Sequence, residues 1–214
     1  MIETPQSRQG APGCPGLRLI PEYLDRAGQQ SLLGAIRGVI EEAPLYTPSM
    51  PRSAKPLSVR MTNCGSLGWV SDISGYRYQP VHPETGRPWP PMPAIVLEAW
   101  HKLADCAAPP EACLINFYGP AARMGLHQDR DEQDFSAPVV SLSLGDTCLF
   151  RIGGTARSDP TRSFRLASGD AVVLGGVARL AFHGVDRILP GTSTLLEEGG
   201  RINLTLRRVT PIKV

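Results

Sequence analysis

Lysine is nearly missing from this chain of 214 residues: Lys55, Lys102 and Lys213 stand against 19 arginines, and the formal net charge is only +2. So small a charge excludes the polybasic field of a protein that grips nucleic acid by electrostatics alone. The positive charge that exists is guanidinium, which suits planar, bidentate recognition of carboxylate or phosphate; GC-rich codon usage would give the same bias. Cysteine is sparse and odd in number (Cys14, Cys64, Cys106, Cys113, Cys148) with no C-x-x-C pair. That excludes a disulfide framework and a thiolate zinc or iron–sulfur site, and it predicts a reducing cytoplasm. No run of apolar residues approaches a membrane span, and MIETPQSRQGAPG lacks a charged-then-apolar signal pattern, so no membrane partner is expected.

What is there is enough for one core: 42% of the residues are apolar. Residues 1–16, polar with Gly and Pro, read as a flexible N-terminal arm. Leu24, Leu32, Leu33, Ile36 and Ile40 give a helix over 21–40 with Pro44 beyond its end, and AIVLEAWHKLADC predicts a second over 94–106. Between them, residues 44–93 hold ten prolines, five Trp and Tyr residues (Tyr46, Trp69, Tyr76, Tyr78, Trp89) and little periodicity. A long Pro-rich, aromatic and locally basic excursion reads as a functional lid. From residue 112 the texture changes to short strands, ACLINFY, PVVSLSLG, TCLFRIG, SFRLAS, DAVVLGG, RLAFHGV and GRINLTLRRV, bounded by Gly, Pro, Asn and Asp. Helices first and many short strands later predict an α+β, mainly β chain: a sandwich or jelly roll buttressed by helices.

Polar residues on strands carry the chemistry. In RINLTLR, alternation puts Arg201, Asn203, Thr205 and Arg207 on one face and Ile202, Leu204 and Leu206 on the other. The polar face belongs either to an exposed edge strand or to a pocket in which a dicarboxylate satisfies both arginines. In INFY, Asn116 and Tyr118 likewise share a face, suited to the same pocket or to a half-buried tyrosine. GLHQDRDEQD sets four acids beside one histidine. His127 and Asp129, one residue apart in an extended segment, can share a cation, and His82, His101 and His183 are the remaining histidines. His183, read as following a strand RLAF at a glycine corner, is the best-placed third ligand. Two histidines and a carboxylate suit non-heme Fe(II), whereas the acids lack the loop glycine and terminal Glu of a calcium loop.

The order NFY, HQDRDE, FHG and RINLTLR resembles the Fe(II)- and 2-oxoglutarate-dependent oxygenases of the AlkB type, which repair alkylated bases. MTNCGSLGWVSDISGYRYQPVHPETGRPWPPMP (61–93) is similar to their nucleotide-recognition lid, and the resemblance covers about residues 20–209. It implies a double-stranded β-helix (jelly roll) within a single domain spanning 17–210, with the lid at 44–93 and the catalytic core at 112–209. It implies iron on His127, Asp129 and His183. Arg201 would take the distal carboxylate of 2-oxoglutarate, with Asn116, Tyr118, Asn203 and Arg207 completing that pocket. Trp69 would stack on the damaged base against His127, Tyr76 would contact the nucleic-acid backbone, Asp131 would face the base edge, and Arg157 would lie at the rim. Glu132 and Asp134 are expected to face solvent. The activity implied is oxidative demethylation of N-alkylated bases in single- or double-stranded DNA, and in RNA as a further substrate, using Fe(II), O2 and 2-oxoglutarate. A monomer is the default. The rivals are a related hydroxylase acting on a protein or small molecule, and a jelly-roll binding module without metal.

Overall fold

A computed structural model describes residues 14–211 and the backbone of a short strand at 8–9. The expected arm therefore lies largely outside the described residues, as does the end of the tail, 212–214. Two helices precede the main run of strands. Helix α1 (Arg26–Glu42) starts where Asp25 accepts a bond from the Gly28 amide at 2.8 Å, a side-chain cap that satisfies one of the free N-terminal donors. This cap explains why the helix begins five residues later than periodicity alone suggests. Its apolar stripe, Leu32, Leu33, Ile36 and Val39, is buried. Helix α2 (Ala94–Leu103) buries Val96, Ala99, Trp100 and Leu103, and stops short of the expected end because Asp105 turns to a φ of 48°.

The strands are β1 (Arg8–Gln9), β2 (Leu17–Ile20), β3 (Val59–Gly65), β4 (Gly68–Asp72), β5 (Gly75–Gln79), β6 (Ala112–Tyr118), β7 (Met124–His127), β8 (Val139–Gly145), β9 (Thr147–Ile152), β10 (Arg162–Leu166), β11 (Ala171–Leu174), β12 (His183–Leu189) and β13 (Arg201–Arg207). They form an antiparallel sheet in the order β1-β2-β11-β8-β13-β6-β3, a second in the order β10-β9-β12-β7, and a separate hairpin, β4-β5. The larger sheet is covered on both faces. Ile115, Leu142, Leu144, Ile202, Leu204 and Leu206 pack under the two helices. The opposite face meets Cys148, Phe150, Ile152, Val185 and Ile188 of the smaller sheet. Two facing antiparallel sheets with helices against the outside of one make the jelly roll that the strand texture predicted.

Two differences from the sequence reading have plain causes. Part of the stretch expected to be a lid, β3, is an edge strand of the large sheet, paired with β6 from Val59↔Tyr118 to Gly65↔Ala112. Its apolar pattern is interrupted because Thr62 and Asn63 are buried polar residues. Thr62 donates to the Ala43 carbonyl at 2.8 Å, and Asn63 exchanges two bonds with the Trp69 backbone, at 3.0 and 3.1 Å. RLAF, expected as a strand, falls in and just after a 3-10 turn (Gly176–Leu180). His183 opens strand β12 instead of following one.

Candidate active site

The metal-ligand candidates come from the smaller sheet and the co-substrate candidates from the larger one. Strands β7 and β12 pair His127 directly with His183. The next pair is Val185↔Met124, so Gly125 and Leu126 stand opposite Gly184 alone. Such a bulge re-aims the side chain at the strand end. Gly184 is needed there: a Cβ would meet the Met124 carbonyl at 2.5 Å. The two imidazoles end 4.6 Å apart, centroid to centroid. Asp129, just past the strand, has its oxygens 3.7 Å from His127 Nε2 and 3.9 Å from His183 Nε2. One ligand atom from each of the three residues lies within 4.8 Å of the other two.

Each histidine is held the same way. Nδ1 of His127 lies 2.9 Å from the Gly125 carbonyl, and Nδ1 of His183 lies 2.9 Å from that of Ala181. A carbonyl only accepts, so Nδ1 carries the proton and Nε2 keeps its lone pair for a metal. Burial lowers His183 to about 4, against the pull of Asp129. Burial works to raise Asp129, but Arg207 and the two imidazoles outweigh it and hold the carboxyl well below the usual range. At neutral pH, His183 is therefore neutral and Asp129 ionised, the states that ligate. Two histidines and one carboxylate on one side of a site leave positions open, the donor set of non-heme Fe(II) oxygenases.

Across from this trio, the inner face of β13 lies between β6 and β8, with Arg201↔Tyr118, Asn203↔Asn116 and Asn203↔Ser143 in register. Of the two sequence readings, the exposed edge is excluded: β13 is central in the sheet. Arg201 is 1% exposed, and its bonds go to the Asp146 and Leu166 carbonyls and Ser143 Oγ, at 3.1, 3.1 and 2.7 Å. All three partners are neutral. No carboxylate among the described residues ion-pairs with it, and its Nε, Arg207 Nη1 and Asn116 Oδ1 are buried without a partner. A buried guanidinium without a counter-charge is costly unless an anion supplies one. The residues thus fit a small dicarboxylate. Asn203 donates to Ser141 Oγ at 2.7 Å and accepts from Thr205. Burial keeps the Tyr118 phenol protonated, its hydroxyl 3.9 Å from Met124 Sδ.

Other expected residues gather at the mouth. Trp69 and Tyr76 stack at 5.5 Å and 20°, and the Trp69 indole N–H donates to Asp131 at 2.8 Å. Arg157 donates to the Leu126 carbonyl, beside His127, and lies 5.1 Å over Phe182. Of the acids expected in solvent, Asp134 caps its own turn, accepting from the Ser136 amide at 2.8 Å. Glu132 is a correction: it is buried, accepting from Tyr78 and Arg179 and ion-paired with Arg207. Arg179, 2% exposed, escaped the sequence reading, which saw RLAF only as a strand.

Fold and site together define an iron- and 2-oxoglutarate-dependent dioxygenase, with O2 as its oxidant. The sequence profile of the 2OG-Fe(II) oxygenase superfamily matches residues 16–207. An alpha-ketoglutarate-dependent dioxygenase AlkB homolog of Caulobacter vibrioides is 59% identical over 91% of this chain and 88% of its own. The alpha-ketoglutarate-dependent dioxygenase AlkB of Escherichia coli K12 is 40% identical over 90% of each chain. A solved structure of OsALKBH1 superposes with a TM-score of 0.77 at 32% identity, covering 95% of this chain and all of the other. The chain belongs to the 2OG-Fe(II) oxygenase superfamily and, within it, to the AlkB-type dioxygenases.

Proposed function

We propose that this enzyme oxidatively demethylates N-alkylated bases, of the 1-methyladenine and 3-methylcytosine kind, in DNA and also in RNA. Residues 17–210 act as one domain, with residues from the 44–93 stretch as its nucleotide-recognition lid. The supporting observation is the pairing at the mouth. An indole wide enough to stack on a base is fixed at 2.8 Å to Asp131, an acceptor two residues from the metal carboxylate. Base–aromatic stacking contributes roughly 1–3 kcal/mol, and the second carboxylate oxygen of Asp131 is suited to accept from an exocyclic amine. Tyr76, exposed on the hairpin, and Arg157 at the rim are suited to the sugar–phosphate backbone. A methylated base cannot be reached inside a duplex, so it enters flipped or from a single strand.

His127, Asp129 and His183 would hold the iron. Arg201 would take the distal carboxylate of 2-oxoglutarate, and Arg207, Asn116, Tyr118 and Asn203 would fix the rest. When bound, iron with O2 and 2-oxoglutarate supplies the oxidation of an N-methyl C–H bond, the co-substrate leaving as succinate and CO2. The N–CH3 group ends as N–H and formaldehyde. The chain's own part is to exclude water, orient the methyl group and keep His183 neutral. No described helix is long and apolar enough to cross a membrane. A monomer in a reducing cytoplasm is consistent with the five free thiols.

The test is mass spectrometry of a single-stranded oligonucleotide bearing one 3-methylcytosine, incubated with Fe(II), ascorbate and 2-oxoglutarate. Loss of one methylene mass with the wild type, and none with Asp129→Ala, is the expected result. Succinate formed without repair would point to a protein or small-molecule substrate. Neither product from folded, iron-loaded protein would overturn the reading.

A further inference from the structure

The role of Glu132 is unassigned by anything above. Its side chain is 1% exposed and its two oxygens meet three donors from three elements. Tyr78 of the β4-β5 hairpin donates to Oε1, and Arg207 Nε of β13 forms an ion pair with the same oxygen at 3.2 Å while donating to Asp129 Oδ2 at 3.3 Å; Arg179 Nη2, from the turn leading into β12, bonds Oε2 at 3.1 Å. Arg179 also donates to the Asp129 carbonyl at 2.6 Å and to that of Ala137 at 3.0 Å. Arg207 completes the loop with a 3.0 Å contact from Nη2 to Asp129 Oδ2. Two acids and two arginines thus balance in charge, and the network is stiff because each member is fixed by the others, with only Arg207 Nη1 left unpartnered. The hairpin joins it through a neighbouring pair of bonds. Trp69 and Tyr78 are cross-strand partners, and they donate to the adjacent acids Asp131 and Glu132. Burial keeps Tyr78 protonated and hence a donor.

We propose that Glu132 is a positioning residue: its carboxylate pairs with the Nε edge of Arg207 while Asp129 holds Nε and Nη2, so that Nη1 is presented to the co-substrate. Through Tyr78, it ties the base-recognition hairpin to that arginine. The hairpin and the co-substrate site are then one mechanical unit, although no described hairpin residue hydrogen-bonds Arg207 directly. Seating of the hairpin sets how well 2-oxoglutarate is held. This rests on the reading that Arg201 and Arg207 bind the co-substrate.

The experiment is calorimetric titration of 2-oxoglutarate into anaerobic protein loaded with Mn(II), a redox-silent stand-in for iron, so that turnover plays no part. Removing a bond to a charged group should raise the Kd of Glu132→Gln about tenfold or more. Tyr78→Phe, which loses one hydroxyl far from the ligand, should raise it roughly threefold. The double variant should bind no more weakly than Glu132→Gln alone, because both act through one carboxylate. A purely structural role would lower the unfolding midpoint yet leave the Kd of the folded protein unchanged, and that result overturns the proposal. If Glu132→Gln does not fold, Tyr78→Phe decides alone: an unchanged Kd rejects the tie. Arg201→Met separates the two readings. An unchanged Kd there removes the co-substrate assignment itself, whereas a weakened one beside unaffected Tyr78 and Glu132 variants removes only this inference.

Discussion

Strand β13 carries two arginines on one face, six residues apart, and its two ends are electrostatic opposites. At the Arg207 end, guanidinium meets carboxylate: Asp129 at 3.0 Å and Glu132 at 3.2 Å. Burial would lower Arg207, but Asp129, Tyr78 and Glu132 together hold it firmly cationic. At the Arg201 end, an equally buried guanidinium rests on two carbonyls and a hydroxyl. One end belongs to an ion network around Asp129 in which only Arg207 Nη1 lacks a partner. The other has no counter-charge among the described residues. The difference separates groups that hold a site together from groups that wait for a ligand, and no propensity or pattern distinguishes them.

The largest effect is expected at the first end. Asp129→Ala should abolish turnover and metal binding while the jelly roll still forms, since Glu132 remains to pair with Arg207; equilibrium binding of Mn(II) and the oligonucleotide assay would check both. Residual wild-type turnover would remove Asp129 from the metal site. The two arginines should then diverge in stability. Arg207→Met strands the buried Asp129 carboxylate, whose guanidinium partner it is, at a cost of about 3–5 kcal/mol. Arg201→Met removes a buried charge that has no counter-ion among the described residues, so it should destabilise far less than Arg207→Met. Urea unfolding of both metal-free variants measures the gap. Yet Arg201→Met should weaken 2-oxoglutarate by about 10- to 100-fold, the worth of charged hydrogen bonds. Equal destabilisation by both would collapse the distinction.

The hairpin extends the contrast to the surface. Trp69→Ala should lower affinity for a methylated oligonucleotide by roughly 1–3 kcal/mol and leave Mn(II) binding unchanged, as fluorescence anisotropy and calorimetry would show. Its effect lies at the mouth, whereas Tyr78, its cross-strand partner, reaches the interior.

Most of this architecture was legible in the chain because its signals are local. ACLINFY and RINLTLR alternate cleanly, and both became strands with the expected polar faces turned inward. H-x-D in an extended segment, with a histidine at a glycine corner, gave three ligands that lie within 4.8 Å of one another. What stayed hidden depends on partners far away in sequence. Strand β3 hides its alternation behind Thr62 and Asn63, whose bonds go to Ala43 and Trp69. Glu132 lies in an acidic run that reads as solvated; only Tyr78, Arg179 and Arg207, distant along the chain, make it a buried group. A charge's burial is set by its counter-charges, and sequence spacing does not report those.

The smallest effect concerns acid. Burial, against the attraction of Asp129, lowers His183 to about 4 from an ordinary 6.5. A depressed value means that the unfolded chain takes up a proton first as pH falls. The stability tied to neutral His183 is therefore fully present above pH 6.5 and is lost as pH drops toward 4. Asp129, held well below the usual carboxylate range, begins to lose its share only below its ordinary 3.8. The urea midpoint of metal-free protein should fall between pH 7 and pH 5, a slope of up to one proton. Saturating Mn(II) should flatten it, because the metal competes with the proton for Nε2. His183→Gln should flatten it too, whereas Arg201→Met should leave it intact, since that end of β13 lies away from His183. A slope that survived His183→Gln would place the acid sensitivity elsewhere, and the Arg207 end would lose its claim to be the part of the site that couples charge to folding.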